Sequence, residues 1–124
     1  MRASRKIAIA SIQPGAKRVS PKLDPDAQAN LIEVKIGQAK DHLRARELGK
    51  AIDKCSEVID APDSSGEQRK EAYLVRGKSL VSFGMLSAAA FDFYKVLETD
   101  HSHSEAYDFI LQIEADTGLP LTKR

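Results

Sequence analysis

The sequence predicts an all-α fold of about five helices, arranged as antiparallel helix–turn–helix units behind an N-terminal tail. Three observations carry this. Apolar residues recur at steps of three and four in several separate stretches, the spacing of one helix face. The triplet Glu-Ala-Tyr at 71–73 returns at 105–107. Helix start and stop signals fall between the periodic stretches, with glycine at 84 and 118 and serine at 65 and 102.

Residues 1–23 lack a sustained period, and Pro14, Gly15 and Pro21 interrupt any helix. Ile7, Ile9 and Ile12 are too few to build a core. The segment carries six basic groups (Arg2, Arg5, Lys6, Lys17, Arg18, Lys22) and no acid, whereas the remainder has 13 basic and 18 acidic residues. The formal net charge of +1 therefore conceals a basic tail on a mildly acidic body. A disordered tail is the plain expectation. Two functional readings compete with it. An acid-poor, Arg- and Ser-containing start resembles an organelle transit segment. Six cations also form an electrostatic arm for RNA or another anionic surface.

Asp24-Pro25 marks a helix start, because aspartate caps and proline suits the first helical position. Ile32, Ile36, Ala39 and Leu43 continue at helical steps, so the first helix is predicted over Pro25 to about Arg44. A break near Glu47–Gly49 leads to a second helix faced by Leu48, Ala51, Ile52, Cys55, Val58 and Ile59. Pro62 and Gly66 define a loop. Ser65 with Gln68 has capping-box spacing, and Ser102 with Glu105 repeats it. Between them lie one helix with Tyr73, Arg76, Gly77, Leu80 and Phe83 on a face, and a second with Leu86, Ala89, Phe93, Val96 and Leu97. A last helix, 103–117, presents Ala106, Tyr107, Ile110, Leu111 and Ile113. Gly77 is informative because a glycine inside a helix costs roughly 0.5–1 kcal/mol relative to alanine. Such a position makes sense where another element approaches closely.

The stretch Glu71–Tyr107, with its aromatic Tyr73, small Gly77, turn Gly84, Ala89 and Val96, resembles a tetratricopeptide repeat (TPR). The step from one Glu-Ala-Tyr triplet to the next matches that family's period of about 34 residues. It departs from the family at Arg76, where leucine is usual, and at His101, where proline is usual. Residues 32–60 resemble a degenerate earlier copy, since Ala51, Val58 and Ile59 precede Ala89, Val96 and Leu97 by one constant step. That step is slightly longer than the period, and the loop 61–66 absorbs the excess at little entropic cost. The implied layout is a repeat at 24–61, a repeat at 65–100, a capping helix at 103–117 and a short tail at 119–124, forming an α-solenoid. Two repeats and a cap are fewer than the three usually needed for an array, so dimerisation through exposed helix faces is one expected remedy.

The resemblance implies a non-catalytic adaptor or scaffold that docks a peptide or partner helix in a concave groove. Its register places Lys40, Arg44, Leu74, Lys78, Ser82, Phe109 and Gln112 in that groove, beside Glu33, Ile36, Val81, Glu105 and Asp108. Lys40, Arg44 and Lys78 would attract an acidic peptide, with Leu74 and Phe109 seating an apolar side chain. The carboxylate-clamp co-chaperones of this family use lysine, asparagine and arginine where this chain has Ile36, Lys40, Val75, Glu105 and Phe109. Only Lys40 suits, so that subclass is not expected. The competing reading is a structural subunit whose basic tail contacts RNA or another subunit.

Nothing in the sequence points to an enzyme, a cofactor or a metal. His101 and His103 flank a serine in a turn, and a solvated turn explains them better than a metal site. Cys55 lies on an apolar stripe, where burial as a small hydrophobe is expected. No apolar run approaches the roughly 18 residues of a membrane helix, so no membrane insertion is expected. One cysteine excludes an internal disulfide and is compatible with a reducing compartment. A cytoplasmic location is the expectation, with organelle targeting through residues 1–23 as the alternative.

Overall fold

A computed structural model describes residues 25–118. The basic segment 1–23, the expected cap Asp24 and the tail 119–124 lie outside the described residues. The chain folds into five helices: α1 (Pro25–Arg44), α2 (Leu48–Asp60), α3 (Gly66–Phe83), α4 (Leu86–Thr99) and α5 (Ser104–Thr117). No strand occurs among the described residues. No described helix is long and apolar enough to cross a membrane.

The helix ends follow local chemistry. At Ser65 the hydroxyl accepts from the Gln68 amide while the Gln68 side chain accepts from the Ser65 amide, each at 3.0 Å, a reciprocal cap. Gly84 closes α3 with φ of +90°, a conformation in which a side chain is strained. Gly118 does the same for α5 at φ +74°. Two ends differ from the sequence expectation. The break between α1 and α2 is made by Arg46, not Gly49, and Arg46 takes a left-handed φ of +65°. The Glu47 amide reaches back to His42 O at 2.8 Å, and the Glu47 carboxylate meets His42 Nδ1 at 2.8 Å. These bonds hold the turn without a glycine. Before α5 the cap is His103, not Ser102. His103 Nδ1 accepts from the Ala106 amide at 3.2 Å. Ser102 instead donates its amide and hydroxyl to Asp100.

Consecutive helices pack on one another, and α1 also packs on α3. The contacts of α3 with α4 run in opposite directions: Lys70 meets Asp100, Arg76 meets Asp92, and Gly77 meets Phe93. From Lys70 near the start of α3 to Arg76 and Gly77 at its middle, the partner moves back from Asp100 at the end of α4 to Asp92 and Phe93, which defines an antiparallel hairpin. The pairs Ser56 with Arg76 and Ala61 with Arg69 give the same sense for α2 and α3.

Helix α3 lies in the middle and is buried on two sides. Ala72 and Val75 join Ile32, Ile36, Ala39, Cys55 and Val58 in one apolar cluster. Leu74 and Leu80 join Ala89, Phe93, Val96, Ala106, Ile110 and Ile113 in the other. This double role corrects the single predicted face, since Phe83 at its end is 60% exposed. Tyr107 and Leu111 are likewise exposed, at 45% and 39%, because the core side of α5 is Ala106, Ile110 and Ile113. Burial recurs in register between α2 and α4: Ala51 with Ala89, Cys55 with Phe93, and Val58 with Val96 are all buried.

Gly77 is the one glycine among the described residues at which a side chain would meet a close neighbour. A Cβ placed there would stand 2.8 Å from both Cε1 and Cζ of Phe93. Phe93 in turn stacks on Phe109, with centroids 4.7 Å apart and rings 3° from parallel. The ring is thus sandwiched between the backbone of α3 and a side chain of α5.

Beside it, Arg76 explains its own departure from an apolar pattern. Its guanidinium donates Nε to Asp92 Oδ2 at 2.8 Å and Nη2 to Asp92 Oδ1 at 2.9 Å. Nη1 reaches Ser56 Oγ at 3.0 Å, and the group sits 5.5 Å from the Tyr73 ring centre. Asp92 is 1% exposed, so its charge requires this fork-shaped partner. The hydrogen bond to Asp92 raises the Arg76 pKa further.

Candidate functional site: the face formed by α1, α3 and α5

Helix α1 packs on α3, and polar bonds link α1 to α3 and α3 to α5. Between α1 and α3, Gln68 Nε2 donates to Ala29 O at 3.3 Å and to Glu33 at 3.2 Å. Further along, Lys40 Nζ meets Glu71 at 2.7 Å. Between α3 and α5, Lys78 Nζ meets Glu105 at 2.7 Å. In both places a lysine of the earlier helix holds a glutamate of the later one, so one ion pair is repeated between neighbouring helices. Glu71 and Glu105 are the first members of the two Glu-Ala-Tyr triplets.

Three depressions share these residues. One, of about 320 Å³, is lined by Lys40, Leu43, Arg44, Glu71, Leu74, Val75, Lys78 and Glu105. A second, of about 380 Å³, continues toward Glu33 and Gln68. A third, of about 200 Å³, is formed on α5 by Glu105, Asp108, Phe109 and Gln112. Lys40 and Glu71 belong to the first two, and Glu105 to the first and third. The face is therefore one shallow strip across α1, α3 and α5.

Of the residues predicted for a groove, Lys40, Arg44, Leu74 and Lys78 come together in the central depression, and Phe109 with Gln112 in the one on α5. Ser82 is exposed toward the end of α3, outside the lining. Leu74 is buried at 7% exposure and forms floor rather than surface. Phe109 is half-buried because its ring stacks on Phe93. The electrostatics differ from the sequence expectation. Lys40 and Lys78 are committed to Glu71 and Glu105, and Arg44 is bound to Asp41. An acidic ligand would have to compete for each of these cations.

Sequence reasoning passed over the carboxylates of the strip as partners for these lysines. The repeat itself carried the signal, since Glu71 and Glu105 occupy matching places in the two triplets. It also passed over a second apolar depression of about 360 Å³ on the other side of α3. Ile52, Leu80, Ala88 and Phe91 line it above the Arg76–Asp92 pair. Phe91 there is 55% exposed, and Lys95 Nζ lies 5.4 Å from its ring centre.

Other polar residues have structural employment. His103 is a cap and His101 is exposed in the turn before α5. No group of three or more His, Cys, Asp or Glu side chains among the described residues is arranged to hold a metal ion. Cys55 is buried, and loss of water around it pushes its thiol up to about 12, away from nucleophilic character at neutral pH. Asp100 is held below the usual carboxylate range, its burial outweighed by hydrogen bonds from the backbone and side chain of Ser102 and by nearby Lys70. Comparison with family models, curated proteins and solved structures returned no match.

Proposed function

We propose that this chain is a TPR-like adaptor module whose α1/α3/α5 strip docks a segment of another protein. The repeated lysine–glutamate pair carries the reading. It ties the first helix of each hairpin to the next and lines up three linked depressions, a geometry that accepts an extended or helical segment lying across the helices. The antiparallel hairpins, the matching burial of α2 and α4 and the glycine at the α3–α4 crossing support a repeat architecture. The strip offers linked shallow depressions with apolar floor and charged rim, Leu74 beside Lys40, Lys78 and Glu105, which suits recognition of a segment laid across it.

The test leaves the core untouched. Replacing the exposed Arg44 and Gln112 with tryptophan fills both ends of the strip. Capture of native-source partners by this variant should drop while helicity by circular dichroism is unchanged. Equal capture by the variant and the parent chain would remove the strip from consideration.

A second reading is a permanent subunit of a larger assembly, with residues 1–23 contacting RNA or a neighbour. The exposed Phe91 favours it, because it stands with Ile52, Leu80 and Ala88 at one apolar depression on the far side of α3. RNA binding through the tail would weaken steeply and linearly in log affinity against log salt.

A further inference from the structure

We infer that the outer face of α1 is a dimer interface, on which a second copy of this chain seats its own α1. This face lies on a different side of the fold from the docking strip.

The repeat register locates it. The step from Ala51 to Ala89 also carries Glu33 to Glu71 and Lys40 to Lys78, so α1 and α3 are matching helices. Lys40 and Lys78 each hold a glutamate of the following helix, which fixes that register in three dimensions. By the same step Val34 and Gly37 of α1 stand where α3 has Ala72 and Val75. On α3 those two residues are buried, in one cluster with Ile32, Ile36, Ala39, Cys55 and Val58 of the hairpin in front. No hairpin stands in front of α1 among the described residues. Its corresponding side meets solvent instead, with Leu31 51% and Val34 54% exposed.

Gly37 is the second observation. Gly49 and Gly66 lie at the starts of their helices, and Gly84 and Gly118 close theirs. Gly37 lies in the middle of α1, where a glycine weakens the helix. At Gly77, the other mid-helix glycine, Phe93 occupies the space of the missing side chain. At Gly37 a Cβ would meet nothing within 4 Å in its own chain. The backbone that uses this room therefore comes from another molecule.

Charge selects a second copy. Asn30, Leu31, Val34, Gly37 and Gln38 are exposed and uncharged, in a chain of which 30% of the residues are charged. The charges flanking them are engaged within the copy: Glu33 accepts from Gln68, Lys35 meets Glu57, and Asp41 holds Arg44. The face offers a charged ligand no counter-charge, whereas two copies meet on it without repulsion. A two-fold axis matches it to itself, with Leu31 of each copy beside Val34 of the other across antiparallel α1 helices. Pairing also joins two short arrays into one longer than the three repeats usually needed.

The experiment is analytical sedimentation of the full chain from about 1 μM to 1 mM. One helix against its copy is a small interface of the weak class, so the chain should pass from one copy to two within that range. Val34→Lys and Val34→Glu should each stay single with helicity unchanged, because Val34 lies outside the core. Mixing the two variants should restore pairing. Gly37→Ala should act in opposite directions, stabilising the single copy in urea while weakening pairing by about tenfold through the added methyl group. A chain that stays single throughout, or pairing unaffected by Val34→Lys or by Gly37→Ala, would overturn the inference. So would pairing lost in Phe91→Lys and kept in Val34→Lys, which would move the contact to the depression beyond α3. A single chain that captures a different protein through Leu31 and Val34 would assign the face to that partner and overturn it as well. Capture by the strip is read separately, through Arg44 and Gln112, so either reading can fail alone.

Discussion

Gly77→Ala tests the packing on which the strip depends. The substitution adds one methyl group to α3. In an unobstructed helix it would stabilise by roughly 0.5–1 kcal/mol. Here the new Cβ would stand 2.8 Å from two atoms of the Phe93 ring. The ring cannot simply withdraw, because Phe93 is fully buried and Phe109 stacks on it at 4.7 Å. Overpacking of this kind costs about 1–3 kcal/mol. The steric cost outweighs the helical gain over most of these ranges, so a net loss of up to about 2.5 kcal/mol is expected. For a domain of this size that is a fall in Tm of several degrees. Gly37→Ala is the internal control. A Cβ there meets nothing within 4 Å, so the same change should stabilise by about 0.5–1 kcal/mol. Urea denaturation of the two variants, with Phe93→Leu and the Gly77→Ala/Phe93→Leu pair completing a cycle, isolates the contact. The pair should be more stable than the sum of its single effects by about 0.5–3 kcal/mol. If Gly77→Ala stabilises the chain as Gly37→Ala does, Phe93 does not lie over Gly77 and the account of the α3–α4 crossing fails.

Two further outcomes follow from buried groups. Arg76→Met strands the Asp92 carboxylate, which is 1% exposed, and should cost about 3–5 kcal/mol in denaturant titration; Arg76→Met/Asp92→Leu should recover much of that loss. Unchanged stability in the single variant would contradict the buried pair. Cys55 has its pKa raised from 9.0 to about 12 by burial. Because the folded value lies above the unfolded one, its contribution to stability is fully present below pH 9.0 and is lost as pH rises from there toward about 12. At neutral pH, thiol reagents should modify Cys55 only as the chain unfolds, and modification far faster than unfolding would show the thiol to be accessible.

Much of the helical layout was legible because its signals are local. Pro25, the Ser65–Gln68 cap, Gly84 and Gly118 act within one turn of themselves, and each marks a boundary close to where the helix ends or begins. Gly77 was legible because a mid-helix glycine needs a reason, and Phe93 supplies it. What failed was long-range or two-sided. A period of three and four identifies a face, but α3 is packed on two sides, so the face shared by Tyr73 and Leu80 runs on to exposed Phe83 while Ala72, Val75 and Ser79 are buried. The same ambiguity put Tyr107 and Leu111 on the wrong side of α5. Arg76 was seen as a departure, whereas its partner Asp92 lies on the next helix. Lys40 and Lys78 were read as free cations because the partners Glu71 and Glu105 belong to neighbouring helices. Arg46 in a left-handed turn carried no sequence mark, since its φ is enforced by bonds around it.

The central claim is that partners dock on α1, α3 and α5, and site-specific photo-cross-linking tests it most directly. A photoreactive residue is placed singly at Arg44 or Gln112 on the strip, and at Asp53 or Glu98 on α2 and α4, all exposed positions. The account predicts covalent adducts to the same partner segment from Arg44 and Gln112 and none from Asp53 or Glu98. Adducts arising from Asp53 and Glu98, with the strip positions silent, would contradict it.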